Sequence, residues 1–310
     1  METLSPQHWA IAPEVREALD RGAAVVALES TIISHGLPYP QNLEVAHRLD
    51  AAVRRSGAVP AVVAVAGGRV QVGVGEEVLE ALAVGKGVAK VSRRDFGVVL
   101  ARGGLGATTV SGTLIGARAA GIRVFATGGI GGVHRGVADT WDISADIPEL
   151  AQSPVAVVSA GAKSILDLPK TLEALETAGV PVLGYRTDEF PAFFSRRSGC
   201  ALEHRVESPG EVADILRAHW GMGLTGGVLV AQPLPESEAL DEGEMERAIA
   251  VALADAGRQG VSGKALTPFL LAALRGATGG ASLAANLTLV EQNAALAGEI
   301  AQALAGAAVS

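Results

Sequence analysis

The chain has 310 residues, 49% of them hydrophobic, which at ~150 residues per domain is material for one or two cores. With 25 basic against 33 acidic residues the formal charge is −8, so the overall field repels phosphate backbones and argues against nucleic acid as a partner. A single cysteine, Cys200, excludes an internal disulfide and a multi-cysteine zinc site, and no apolar run approaches the ~18 residues of a membrane span.

The N-terminal METLSPQHWAIAPEV lacks the basic-then-apolar layout of a signal peptide, and a soluble, cytoplasmic protein with no membrane contact is expected. AVVAL (24–28) then opens a series of β-branched runs. After Pro40, Leu43, Ala46, Leu49 and Val53 keep helical spacing until Gly57, a residue suited to a C-terminal cap. AVVAVA (61–66), Gly67, Gly68 and RVQVGV have the pattern of a hairpin with a two-residue turn, so the sheet is expected to be mixed there. VAKVS (88–92), IRVFATG (122–128), VAVVSAG (155–161), VPVLGY (180–185) and GGVLVAQP (226–233) follow, separated by helix-length segments. The polar stretch 186–212 reads as an excursion, because strand and helix patterns resume after it. SLAANLTLVEQNAALAGEIAQALA has no proline, and no glycine until Gly298, and predicts one long helix. Strands alternating with helices indicate a three-layer α/β/α fold with a mainly parallel, mixed central sheet. No repeat, low-complexity linker or basic block divides 1–310, so a single domain is expected.

In such a sheet ligands bind beyond the carboxyl ends of the strands. Polar residues there include Glu29, Lys90, the glycine-rich Thr127–Gly132, His134 and Lys163. The glycines can bring backbone N–H groups close to an anion, although a tight structural turn uses the same residues. Lys163 precedes the helical pattern SILDLPKTLEALETAG; a helix N-terminus and a nearby Lys90 would both favour a neutral, nucleophilic amine, where a solvated lysine is the plain alternative. Glu29 is either an ordinary carboxylate or, if buried, a proton donor. Asp139, Asp142 and Asp146 are close enough in sequence to hold a hard divalent ion with water, while Asp146 with Glu149 also fits a helix N-cap. His134 could be a core histidine. Cys200, in a polar stretch, lacks an evident activating partner.

Taken together, ALESTIISHGLPYPQN (27–42), KVSRRDF (90–96), GATTVSGTL (106–114), FATGGIGGVHRG (125–136), DISAD (142–146), SAGAKSILD (159–167), GKALTPFLL (263–271) and SLAANLTLVEQNAALAGEIA (282–301) resemble the pseudouridine-5′-phosphate glycosidases over nearly the whole chain. The resemblance implies a homotrimeric, manganese-dependent α/β/α enzyme that reversibly splits pseudouridine 5′-phosphate into uracil and ribose 5-phosphate through a lysine-bound sugar. It puts the proton donor on Glu29, the nucleophile on Lys163 and the metal on Asp142. Substrate contacts fall on Lys90, Val110 and Ser144, Ala145 and Asp146, with Thr127, His134 and Asn286 as further pocket residues. Val91 departs from the small residue the family leads one to expect. The 310 residues leave no room for the sugar-kinase domain fused to some relatives, so a separate kinase is expected to supply the substrate. Two other readings use the same residues: a Schiff-base lyase or aldolase acting on another sugar phosphate, and a non-catalytic sugar-phosphate sensor.

Overall fold

A computed structural model describes residues 5, 7–261 and 263–306. Among them, eleven strands form one sheet: β1 (Trp9–Ile11), β2 (Val25–Leu28), β3 (Val59–Ala66), β4 (Arg69–Val72), β5 (Ala89–Val91), β6 (Gly106–Thr108), β7 (Val124–Ala126), β8 (Ala156–Ser159), β9 (Val182–Tyr185), β10 (His204–Val206) and β11 (Val228–Ala231). The helices before the midpoint are α1 (Pro13–Asp20), α2 (Gln41–Arg55), α3 (Glu76–Val84), α4 (Phe96–Ala101), α5 (Val110–Ala120), α6 (Val137–Thr140) and α7 (Asp146–Leu150). After it come α8 (Leu168–Thr177), α9 (Pro209–Gly221), α10 (Glu242–Arg258), α11 (Leu266–Ala277) and α12 (Ala281–Ala305).

The main path runs β1-β4-β3-β2-β7-β8-β11-β9-β10, and from β3 to β10 every pairing on it is parallel. β2, β7, β8 and β11 are buried along their whole length, which is why they occur as unbroken apolar runs instead of alternating ones: helices cover both faces. The expected architecture is therefore the observed one. β3 is its pivot. Val59–Val62 pair in parallel with β2, whereas Val63–Ala66 turn away to pair antiparallel with β4. Gly67 and Gly68, at φ 58° and 71°, close that expected hairpin as only glycine does without strain. The sheet is mixed at a second place as well, because β6 also pairs antiparallel with β3, and β5, the VAKVS run, joins through β6.

The predicted helices appear as α2, ending before Gly57 at φ 85°, and as α12. α12 lies against β2, β7 and β8 and against α2 and α9. A Cβ at Gly298 would fall 1.8 Å from Ser56 Oγ, so the glycine is what lets α12 approach the end of α2. The polar excursion is less external than its composition predicts, since Phe190, Phe193 and Phe194 within it are buried. No helix among the described residues is long and apolar enough to cross a membrane.

Candidate active site

A cavity of about 420 Å³ opens beside the carboxyl ends of β2, β5, β7 and β8. Glu29, Lys90, Val110, His134, Asp142, Ser144, Ala145, Asp146, Lys163 and Asn286 all line it. Glu29, the glycine loop and Lys163 meet there because the parallel strands β2, β7 and β8 deliver their carboxyl ends to one side; Lys90 arrives on β5, which runs with β6 antiparallel to β3, and Asn286 on α12.

Glu29 follows β2 and is half-buried; Thr31 donates to its Oε2 and Thr127 to its Oε1. Thr127 itself is buried and touches Glu29 from behind, without lining the cavity. The neighbouring Ser30 has a purely structural part. Its hydroxyl donates to the Val63 carbonyl at 2.6 Å and accepts from the Thr108 amide at 2.9 Å, joining the ends of β2 and β6 to the middle of β3.

Lys163 is not at a helix N-terminus. α8 begins at Leu168, capped by the Asp167 side chain, and Lys163 sits in the segment before it. Backbone pairing fixes it: its amide donates to the Ile130 carbonyl at 3.1 Å, and the Asp167 amide donates to Val133 at 2.9 Å. The helix dipole therefore does not act on Lys163, and the electrostatic neighbour is the one the sequence also offered, Lys90. Burial, and then the Lys163 ammonium, push the Lys90 pKa below the usual lysine value, with Glu29 and Asp146 opposing.

The glycine loop does cradle an anion, but a protein one. Gly131 N–H donates to Asp146 Oδ2 and Ser111 N–H, in the first turn of α5, to Asp146 Oδ1, both at 2.8 Å. Any side chain at 131 would displace this arrangement, its Cβ 2.3 Å from Ser144 Oγ. Asp146 is thus no N-cap: Ala145 occupies that place before α7, and the carboxylate ties α5 to the loop.

The three aspartates do not gather. Asp139 is exposed on α6 and away from the cavity, and among the described residues no group of three or more histidine, cysteine, aspartate or glutamate side chains forms a metal cage. Asp142 remains on the cavity wall, its Oδ2 4.0 Å from His134 Nδ1. One carboxylate completed by water and substrate oxygens is a set that manganese or magnesium accepts. Burial lowers the His134 pKa, Asp142 raises it, and Lys163 and Lys90 lower it further.

Two basic lining residues escaped the sequence reading, His35 and Lys264. His35, on the π-helical turn Ile32–Gly36, has its pKa lowered by burial and then by Lys90. Lys264 donates to the Lys90 carbonyl at 2.9 Å and pairs with Asp95 at 2.6 Å. Arg94, one of the polar residues that follow the VAKVS run, is exposed and also lines the cavity. His35 and Lys264 lie within segments that carry the family resemblance, yet neither follows an apolar strand run. Cys200 is not part of the wall.

A family profile described as indigoidine synthase A like protein matches residues 14–303. The pseudouridine-5′-phosphate glycosidase of Methylobacterium nodulans is 57% identical over 296 residues, covering 96% of this chain and 88% of the relative. That of Sorangium cellulosum is 58% identical, covering 96% and 94%. Among solved structures, the prealnumycin C-glycosynthase AlnA in complex with ribulose 5-phosphate superposes with a TM-score of 0.90 at 44% identity, over 97% of this chain and 98% of that one. An indigoidine synthase A like protein from Thermotoga maritima gives 0.89 at 39% identity, over 98% and 99%.

Proposed function

The chain belongs to the indigoidine synthase A like protein family, and from that premise we propose that it is a pseudouridine-5′-phosphate glycosidase, reversibly splitting its substrate into uracil and ribose 5-phosphate. The observation that carries the reading is the convergence of Glu29, Lys163 and Lys90 on one cavity.

The reaction explains why these residue types are needed. In cleavage, carbon 5 of uracil must leave C1′ of the sugar, and as a free carbanion it is a poor leaving group. A proton delivered to carbon 5 by Glu29 removes that difficulty. The Lys163 amine adds at C1′ as the C1′–O4′ bond opens, and the ring oxygen takes a proton. Its nitrogen lone pair then forms a C1′=N iminium while the bond to the protonated uracil breaks. Water hydrolyses the iminium, regenerating the amine and releasing ribose 5-phosphate, so one hard step becomes several easier ones. Lys90, desolvated on the wall, supplies charge for the 5′-phosphate against the −8 of the whole chain. Val110, at the first turn of α5, and Ser144, Ala145, Asp146, His134 and Asn286 complete the surround. A manganese ion held by Asp142 would order water and substrate oxygens without redox chemistry. The reading includes a homotrimer acting in the cytoplasm; exposed Ile143 on the cavity wall and exposed Trp141 two residues before it offer a neighbouring subunit an apolar seat, and light scattering after gel filtration checks the mass.

Purified protein with pseudouridine 5′-phosphate and Mn²⁺ should release free uracil, chelation should stop the release, and added Mn²⁺ should restore it. Protein that leaves the substrate intact, or cleaves a carbon–carbon bond within the sugar, overturns the assignment. Full turnover after verified metal removal overturns the metal requirement alone.

A further inference from the structure

Glu29 is held on both of its oxygens by threonine hydroxyls that reach it from different elements. Thr31 comes from the turn after β2 and donates to Oε2; Thr127 comes from the end of β7 and donates to Oε1. The position of Thr127 is itself determined from outside the cavity. Its amide donates to the Val158 carbonyl at 3.0 Å, and its own carbonyl accepts from Asn293 Nδ2 of α12 at 2.9 Å. Asn293 is 1% exposed, a buried amide whose donor points at the backbone of the glycine loop. The sheet and α12 thus fix one hydroxyl, and the first turn after β2 fixes the other, before any substrate arrives.

We propose that Thr31 and Thr127 are positioning residues that hold the Glu29 carboxyl group in one place through both of its protonation states. The inference rests on the reading of Glu29 as the group that gives a proton to carbon 5 in cleavage and takes it back in synthesis. Such a group must be equally well placed as carboxylate and as carboxylic acid. An ionised carboxylate only accepts hydrogen bonds, whereas the acid also donates one. A hydroxyl meets both demands, because turning about its C–O bond changes it from donor to acceptor without moving a heavy atom. Lysine, arginine or an amide N–H in either place could only donate and would be matched to the carboxylate alone. An apolar side chain would leave the carboxyl group free to swing away from carbon 5, and a misplacement of about 1 Å costs on the order of 100-fold in rate. The two threonines thus fit a proton carrier that works in both directions.

Thr31→Val and Thr127→Val keep the shape and remove the hydroxyl, while Thr→Ser keeps the hydroxyl. Each valine variant should lose roughly 10-fold or more in kcat for uracil release with KM within about threefold of wild type, and each serine variant should stay within about threefold in both. In a Glu29→Gln background the valine change should cost nothing further in residual turnover, because the group it positions is already disabled. Borohydride trapping of ribose 5-phosphate on Lys163 should persist in every variant and so report an intact fold and sugar site. Valine variants with wild-type kcat, serine variants as impaired as valine, or an equal loss with and without Glu29 would each overturn the inference while leaving the glycosidase assignment standing. Wild-type protein that releases no uracil would overturn both.

Discussion

Two ammonium groups share the cavity, and their mutual repulsion should be measurable. Burial and the Lys163 charge hold the Lys90 pKa below its usual value, so Lys90 loses its proton at a lower pH than an ordinary lysine does. Affinity for ribose 5-phosphate should therefore weaken as pH rises through that lowered value, and Lys90→Met should remove this alkaline limb. Lys163→Met deletes one of the two main lowering causes and should move the Lys90 pKa upward, read by NMR titration of lysines labelled at Cε. An unchanged Lys90 titration would mean that the two amines are farther apart in solution. Covalent chemistry is tested separately: borohydride with ribose 5-phosphate should leave a stable mass increase on the peptide holding Lys163, absent without sugar and absent in Lys163→Ala. Trapping on Lys90 would exchange the two roles. Glu29, Lys90 and Lys163 were legible because each lies in or directly follows an apolar strand run. His35 and Lys264 were not, since they reach the cavity from a π-helical turn and from the segment before α11, whose proximity to β5 is set by tertiary packing.

Local pattern identified elements well where burial or a turn constrains the sequence strongly. The runs that became β2, β7, β8 and β11 are apolar on both faces, and Gly67–Gly68 encode their turn directly. Five strands have only three residues, too few for a period; β5 and β7 still stood out because longer apolar runs surround them, whereas β1, β6 and β10 lack such runs and are held by pairing with the edges of neighbouring strands. α8 starts later than the periodicity predicts because Ser164–Asp167, though helical in composition, follows a turning path in which the Leu166 N–H donates to the Lys163 carbonyl at 3.0 Å and the Asp167 N–H to the Val133 carbonyl at 2.9 Å. Gly161 keeps that path open. It sits at φ 75°, and a Cβ there would lie 2.3 Å from the Pro191 carbonyl oxygen. Gly161→Ala combines left-handed strain of about 1–2 kcal/mol with overpacking of about 1–3 kcal/mol, so a loss of at least ~2 kcal/mol should appear in urea titrations. Because Lys163 is two residues away, turnover should fall more steeply than stability alone explains. A variant with wild-type midpoint and turnover would show that the 161–163 segment is freer than its pairing implies.

Alternation of strands and helices was enough to name the class of the molecule, but strand order was not readable, because it depends on β3 pairing in parallel with β2 along one half and antiparallel with β4 and β6 along the other. That division also bears on how the chain unfolds. Buried apolar residues from Val15 in α1 to Ala301 in α12 form one continuous cluster, so the first-formed and last-formed parts of the chain share a core. α12 contacts β2, β7 and β8 from the N-terminal two-thirds and α9 from the later part. Melting either portion alone would strip apolar surface from this helix, at ~25 cal/mol per Å² exposed, and leave the Asn293 amide without its partner. We therefore propose that residues 1–310 unfold as one unit. Differential scanning calorimetry at fixed protein concentration should give a single endotherm, with calorimetric and van't Hoff enthalpies in agreement for whatever assembly is present. A chain truncated after Gly280 lacks α12 and should show no cooperative transition at all, although its far-UV spectrum can retain helix. Two resolved endotherms in the full chain, or a sharp transition in the truncated one, would divide the molecule into separately folding parts, with the cavity built across their junction.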